Sequence, residues 1–168
     1  KFQKEFIETT QKTNKDDKKK QIEKLEWQLI EITKREQGKT SQLKKIEEFK
    51  KSNTKPFFLW KLNFSDVFEE KGGFDLVIAN PPYIKEDVNR QAFDGLKNLE
   101  CYQGKMDIWY LFGSKGLDIL KEQGVLCFIA TNNWISNDGA SKFRNKIINQ
   151  GKIINFIDFG NHKIFTAG

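Results

Sequence analysis

The apolar residues in the first third of the chain recur at alternating steps of three and four positions. They stand at positions 22, 25, 29 and 32, and the same register continues at 43 and 46. This spacing is typical of amphipathic helices. We expect two helices, over about 16–36 and 41–52, joined near Gly38, with one long bent helix as the alternative.

Beyond residue 56 the apolar residues form continuous runs. The runs at 57–64, 76–79, 124–130 and 153–158 predict strands, and the patterns at 106–120 and 139–150 predict helices. Strands that alternate with helices indicate an α/β fold with right-handed crossovers. Because the runs at 76–79 and 124–130 are apolar throughout, we expect a mostly parallel sheet covered on both faces. Residues 88–99 predict a loop or a weak helix.

Charge divides the chain at the same place. The whole chain carries a net charge of +6, and residues 1–55 hold 16 basic and 10 acidic residues, which accounts for all of it. We therefore expect residues 1–55 to be a charged helical arm and residues 56–168 to be a separate domain. A basic arm could lie along DNA phosphates, although a run of lysines is more often a solvated helix face.

Composition narrows the possible functions. No apolar run approaches the roughly 18 residues of a membrane span, so we expect a soluble, cytoplasmic protein. Cys101 and Cys127 lack metal-ligand spacing, and His162 is the only histidine. A metal site is therefore not expected.

The stretch from Phe74 to Ile84 has the clearest chemical meaning. A short buried strand leads into Asn80, Pro81, Pro82 and Tyr83, and the two prolines make this loop stiff and lacking in N–H donors. An exocyclic amine has two N–H groups, which the Asn80 side-chain oxygen and the Pro81 carbonyl could accept. The Tyr83 ring could stack on a heterocycle, a contact worth roughly 1–3 kcal/mol. The loop thus predicts a site for alkylating an amino group.

Residues 74–83 also resemble motif IV of the S-adenosylmethionine-dependent amino-methyltransferases, above all the adenine-N6 DNA methyltransferases. Asp107, Tyr110 and Phe112 match motif V, with Tyr102 and Gly104 before them as in many restriction-type enzymes. Residues 124–134 resemble motif VI, and Phe159, Gly160, Asn161 and Phe165 resemble the start of the motif VIII region. The resemblance spans roughly residues 57–165. With its charged helical arm, the chain is most similar to type IIG restriction-modification enzymes.

The resemblance implies roles for individual residues. It makes Asn80, Pro81, Pro82 and Tyr83 the catalytic loop, with Tyr83, Asn132 and Trp134 contacting the substrate. It assigns S-adenosylmethionine to Asn63, Phe64, Asp66 and Asp107, although the family commonly has an acidic residue where Asn63 stands. The implied fold is a partial Rossmann-like methyltransferase sheet. The implied substrate is double-stranded DNA with a flipped adenine.

Part of the family pattern is missing from the chain. No Gly-x-Gly-like turn between a strand and a helix, the cofactor-binding motif I, occurs before residue 74. We therefore expect a carboxyl-side portion of the domain that is inactive alone. Its partners would be the rest of the same polypeptide, with motif I and a target-recognition region, and the presence of a nuclease is left open. The alternatives are methylation of a glutamine amide or of a ribosomal RNA guanine, and a non-catalytic binding module.

Overall fold

The computed structural model describes residues 12–36, 41–52, 58–160 and 162. The chain divides into two compact units, residues 1–66 and 67–168. The architecture is mixed α/β, with helices in the first unit and a parallel pair of strands in the second.

Two helices dominate the first unit. Helix α1 spans Lys12–Glu36 and helix α2 spans Ser41–Lys51, close to the limits expected from the apolar spacing. The two helices pack against each other in an antiparallel arrangement. Lys50, near the end of α2, forms an ion pair with Glu31 of α1, and the Lys50 Nζ lies 5.7 Å from the centroid of the Trp27 ring, also on α1. The expected joint at Gly38 lies outside the described residues.

The strand predicted over 57–64 is wrong. The described part of this segment forms a short helix, α3 (Trp60–Asn63), followed by α4 (Ser65–Lys71). The aromatic residues that suggested a strand instead pack on a helical turn, where Trp60 and Phe64 stack with centroids 5.9 Å apart. Their four-residue spacing places them on one side of a helix.

The second unit contains a parallel β–α–β arrangement. Strand β1 (Phe74–Ala79) pairs with β2 (Leu120–Phe128), and helix α5 (Trp109–Ile119) leads directly into β2. The Ile129 N–H donates to the carbonyl of Ala79, the last residue of β1, at 3.2 Å, which extends the pairing one residue beyond β2. The carboxyl ends of the two strands therefore lie side by side.

Only one face of this strand pair is covered in the described part of the chain. Helix α5 packs closely on that face at Gly116. A side chain at this position would clash with Leu126 of β2, because its Cβ would lie 2.6 Å from Leu126 Cδ1. The opposite face presents Leu76, Ile78 and Val125, of which Ile78 is 69% exposed. The expectation that both faces are covered is thus met on one side only, because no second layer is present among these residues.

The core lies on the α5 side of the unit. Tyr110 and Phe143 stack with centroids 6.0 Å apart, and Trp109 meets Phe143 edge-on. Phe143 belongs to helix α6 (Ser141–Gln150), and the fully buried Phe93 belongs to a single 3-10 turn, Arg90–Phe93. Two further 3-10 turns, Asn132–Ile135 and Asp138–Ala140, join β2 to α6.

The strand predicted over 153–158 is absent from the described structure. Residues 151–160 form no helix or strand, and their side chains are exposed. They contact the 3-10 turn Asn132–Ile135, where the rings of Trp134 and Phe156 lie 6.4 Å apart. An apolar run becomes a strand only where a neighbouring strand accepts its backbone hydrogen bonds, and none of the described residues provides one here.

The buried Lys146 of helix α6 forms hydrogen bonds and ion pairs with residues outside that helix. The Lys146 side chain is 3% exposed, and its Nζ donates to Glu100 at 2.5 Å, Asp118 at 2.6 Å and Ser114 at 3.1 Å. Burial alone would lower its pKa, but the two carboxylates outweigh burial and raise the pKa above the ordinary lysine value.

Replacing this lysine should destabilise the second unit at neutral pH. We expect Lys146→Met to lower the free energy of unfolding by about 1–3 kcal/mol, because three hydrogen bonds to a charged donor are lost. Since the folded pKa is raised, the stabilisation is fully present below the unfolded pKa and is lost as pH rises through the folded one. Urea unfolding followed by tryptophan fluorescence checks this, with the exposed Lys97→Met as control. Equal stability of both variants at neutral pH would contradict it.

Candidate active site

The Asn-Pro-Pro-Tyr loop leaves the carboxyl end of β1, as the sequence predicted. Asn80, Pro82 and Tyr83 are exposed, whereas Pro81 is buried. Neither proline has an N–H, so the loop offers carbonyl oxygens without competing backbone donors. Within the described residues, no donor contacts the Pro81 carbonyl oxygen.

Tyr83 connects this loop to the end of β2. Its hydroxyl oxygen lies 2.5 Å from Asn80 Oδ1 and 2.7 Å from the carbonyl oxygen of Ile129. Tyr83 remains 41% exposed, so the residue is accessible to a ligand. Burial of the hydroxyl raises the Tyr83 pKa, and the nearby charge of Asp107 raises it further. The hydroxyl is therefore a donor at neutral pH.

Asp107 holds the other end of the loop. Its Oδ1 accepts hydrogen bonds from the backbone N–H of Ile84 at 3.0 Å and of Trp109 at 3.4 Å. Asp107 also forms an antiparallel bridge with Lys85. Burial raises the pKa of Asp107, and the backbone hydrogen bonds oppose that shift. Motifs IV and V, 23 residues apart at this bond, are thus joined through one carboxylate.

A polar network lies beyond β2, next to the loop that Tyr83 contacts. The Trp109 indole N–H donates to Thr131 Oγ1 at 3.2 Å, and that hydroxyl donates to Asn133 Oδ1 at 2.8 Å. The Asn137 side chain donates to the Tyr110 hydroxyl at 3.3 Å. The Tyr110 ring therefore packs in the core while its hydroxyl belongs to this network. These contacts give Tyr110 a structural role that requires no ligand.

The two predicted substrate residues after β2 have different surroundings. Asn132 is exposed, and its Nδ2 lies 3.3 Å and 3.4 Å from the two carboxylate oxygens of Asp158. Trp134 is half-buried and packs among the rings of Trp109, Phe143 and Phe156. Both follow the strand whose end Tyr83 contacts. Their contact with a substrate stays a prediction.

The predicted cofactor residues fall into two groups. Asp107 lies at the loop, as described above. Asn63, Phe64 and Asp66 belong to the first unit, where the Asn63 Nδ2 donates to Glu26 Oε1 at 3.1 Å and to the Leu59 carbonyl at 2.9 Å. These contacts give Asn63 a structural part within its own unit, and its role toward a cofactor stays a prediction.

Sequence reasoning missed two features of this site. The Ile129 carbonyl is a backbone group, which no side-chain motif reveals. The bond from the Ile84 N–H to Asp107 was also missed, because the resemblance assigned Asp107 to the cofactor and the two residues are 23 positions apart. No group of three metal-ligating side chains occurs within the described residues. None of the helices there is long and apolar enough to cross a membrane.

Comparison with known proteins identifies the family. The sequence profile of the Eco57I restriction-modification methylase family matches residues 1–165. The chain belongs to this family. Its members are methyltransferases that use S-adenosylmethionine, which agrees with the resemblance seen at the Asn-Pro-Pro-Tyr loop and with the amino-alkylating chemistry that its residues suggest.

Individual relatives match shorter segments. The chain is 32% identical over 100 residues to the type II restriction enzyme and methyltransferase RM.Eco57I of Escherichia coli, covering 55% of this chain and 10% of the relative. It is 28% identical over 105 residues to the type II methyltransferase M.BanIII of Aneurinibacillus aneurinilyticus, covering 62% and 18%.

A third relative has a different substrate in its name. The chain is 33% identical over 70 residues to the release factor glutamine methyltransferase of Clostridium botulinum, covering 38% of this chain and 25% of that protein. The chain thus spans between a tenth and a quarter of the length of these three relatives. No solved structure matches it.

Proposed function

We propose that this chain carries the amino-group site of an S-adenosylmethionine-dependent methyltransferase that modifies N6 of adenine in DNA. The observation that supports this most strongly is the loop after β1. It contains the exposed Asn80 side chain, the carbonyl of the buried Pro81, which accepts no hydrogen bond from a described residue, and the exposed Tyr83. A flat amine with two N–H groups matches such a set of acceptors.

Each residue of the loop would make a different contact with the target base. Asn80 Oδ1 and the Pro81 carbonyl accept the two N–H groups of the target amine, which directs the nitrogen lone pair away from the loop. Tyr83 stacks on the base, and Asp107 keeps the loop in place through Ile84. When bound, S-adenosylmethionine supplies an electrophilic methyl group. Rate enhancement then comes chiefly from holding the amine in line with that group.

The cofactor is compatible with the groups around the loop. A sulfonium carries a positive charge, and the loop offers carbonyl oxygens with the buried Asp107 carboxylate behind them. We propose Asp107 as a residue that contacts the cofactor, and the sequence resemblance assigns Asn63, Phe64 and Asp66 to the cofactor as well. Asp107 would then contact the cofactor while it also accepts the hydrogen bond from the Ile84 N–H that keeps the loop in place.

An adenine within duplex DNA cannot reach this loop while it is stacked. We propose that the base is flipped out, at a cost of a few kcal/mol for unpairing and unstacking. The restriction-modification family supports a DNA substrate, and residues 1–55, with their excess positive charge, would contribute contacts to phosphates. Tyr83, Asn132 and Trp134 are the proposed substrate contacts.

We also propose a finer description of the fold. In it, β1, α5 and β2 are part of a Rossmann-like methyltransferase sheet, and residues 1–55 form an arm distinct from the catalytic residues 56–168. The parallel β–α–β order and the site at the carboxyl ends of the strands support this.

A second candidate is methylation of a glutamine amide in a protein. The similarity to a release factor glutamine methyltransferase favours it, and a primary amide also presents two N–H donors to Asn80 and Pro81. The longer and more numerous matches are to type II methyltransferases, so we rank DNA first.

One assay separates the two candidates. The full-length protein is incubated with methyl-tritiated S-adenosylmethionine and, in parallel, with mixed-sequence duplex DNA, a glutamine-containing release factor and ribosomal RNA. We expect tritium in DNA at least 100 times above that in the other two, since recognition of the wrong class leaves polar groups unpaired. Transfer to the release factor but not to DNA would establish the second candidate instead.

A further inference from the structure

The Tyr83 hydroxyl lies within hydrogen-bond distance of two acceptor oxygens, and its single hydrogen can be given to only one of them at a time. Its oxygen lies 2.5 Å from Asn80 Oδ1 and 2.7 Å from the Ile129 carbonyl oxygen. Both distances are at or below those usual for a hydroxyl donor. The two acceptors belong to residues that follow different strands, so this hydroxyl bridges the carboxyl ends of β1 and β2.

Asn80 needs such a contact if it is to bind an amine. A terminal amide turns readily about its last torsion, and a half-turn exchanges the oxygen for the NH2 group. An NH2 group facing an amine would set donor against donor. Asn80 is exposed. Among the described residues, Tyr83 is the only hydrogen-bond partner of its side chain. The Tyr83 hydroxyl is therefore the group there that can fix the orientation of the Asn80 amide.

We propose that the Tyr83 hydroxyl is a positioning group that fixes the Asn80 amide with Oδ1 as the acceptor at the site. This inference rests on the proposed function and adds to Tyr83 a task separate from stacking, which the ring performs. The one hydrogen of the hydroxyl goes to Asn80 Oδ1, the nearer acceptor at 2.5 Å, and the Ile129 carbonyl oxygen, 2.7 Å away, receives none while that bond is made. Oδ1 has a second lone pair, which is the one that an amine would use.

Removing the hydroxyl alone separates the two tasks of Tyr83. Tyr83→Phe keeps the ring for stacking, so we expect an unchanged KM for DNA. We expect kcat to fall three- to tenfold, because one net hydrogen bond corresponds to about that factor. In Asn80→Asp both side-chain oxygens are acceptors, so orientation no longer matters. Adding Tyr83→Phe to Asn80→Asp should therefore change kcat by less than twofold.

A second measurement does not depend on methyl transfer. In the full-length protein labelled with 15N, the Asn80 side-chain amide signal is assigned by its loss in Asn80→Asp. We expect this signal to move in Tyr83→Phe, while the Asn149 side-chain signal stays in place. An unmoved Asn80 signal, or a kcat equal to that of the wild type, would overturn the positioning role. A loss in kcat of the same size in the Asn80→Asp background would overturn it as well.

The outcomes also distinguish this inference from the function on which it rests. If the wild-type protein methylates no DNA but the Asn80 signal moves, the proposed function is wrong and the hydrogen bond that fixes Asn80 is supported. If DNA is methylated and Tyr83→Phe retains the wild-type kcat, the proposed function holds and the positioning role is wrong.

Discussion

Replacing Asn80 with alanine is expected to reduce methyl transfer to DNA by about 100- to 1,000-fold. The substitution removes the acceptor that we propose for the reacting amine, and the loss of one such preorganised group costs a factor of this order. Because Asn80 is exposed, its loss should hardly affect folding. Tritium transfer from S-adenosylmethionine under single-turnover conditions measures the effect.

The control is Asn149→Ala, which removes another exposed asparagine, on helix α6. We expect this variant to keep the wild-type rate. DNA binding by Asn80→Ala, followed by fluorescence anisotropy, should also remain within a few-fold of the wild type. An Asn80→Ala variant that methylates DNA at the wild-type rate would mean that the loop is only structural.

Asp107→Ala is expected to disturb the same loop from its other end. It leaves the N–H groups of Ile84 and Trp109 without their acceptor, which costs about 1–3 kcal/mol for a buried donor. A loop displaced by an ångström can lose about 100-fold in rate. We therefore expect methyl transfer to fall by about 10- to 100-fold and the thermal midpoint to drop.

Asp107→Asn is the matched control. Its side-chain oxygen can still accept both N–H groups, and it carries no charge that burial would penalise. Since burial raises the Asp107 pKa, the ionised carboxylate is disfavoured in the fold, and its penalty lessens as pH falls through the raised pKa. We expect Asp107→Asn to be at least as stable as the wild type at neutral pH, with the difference shrinking in acid. A rate loss as large as that of Asp107→Ala, at full stability, would mean that the charge acts on the cofactor.

The sequence was most informative where local preference and tertiary packing agree. The run at 74–79 is apolar, β-branched and stopped by two prolines, so both the strand and the rigid loop could be predicted. Helix α1 could be predicted from its three- and four-residue spacing. In each case the residues near in sequence decide the structure.

Two strand predictions failed for different reasons, the first because of a local ring contact and the second because no partner strand is present among the described residues. Residues 57–64 read as a strand, but the stacking of Trp60 on Phe64 is better served by a helical turn. The run at 153–158 has the composition of a strand but lacks a neighbour to pair with in the described structure. A spacing pattern contains no information about which partner is available.

The same limit applies to the site. The acceptors on Asn80 and Pro81 could be inferred from residue chemistry, because they lie within one tetrapeptide. The Ile129 carbonyl, 46 residues from Tyr83, and the Asp107 bond to Ile84 depend on how β1, β2 and the segment before α5 come together. These contacts hold the loop in place, and residues near in sequence do not reveal them.

The central claim is that the loop after β1 receives the amino group of adenine, and the identity of the methylated nucleoside tests it most directly. DNA treated with the full-length protein and S-adenosylmethionine is digested to nucleosides and separated by liquid chromatography with mass spectrometry. The account predicts N6-methyldeoxyadenosine from the wild type and its near absence with Asn80→Ala. Methylation of another base, or an undiminished N6-methyldeoxyadenosine signal in Asn80→Ala, would contradict it.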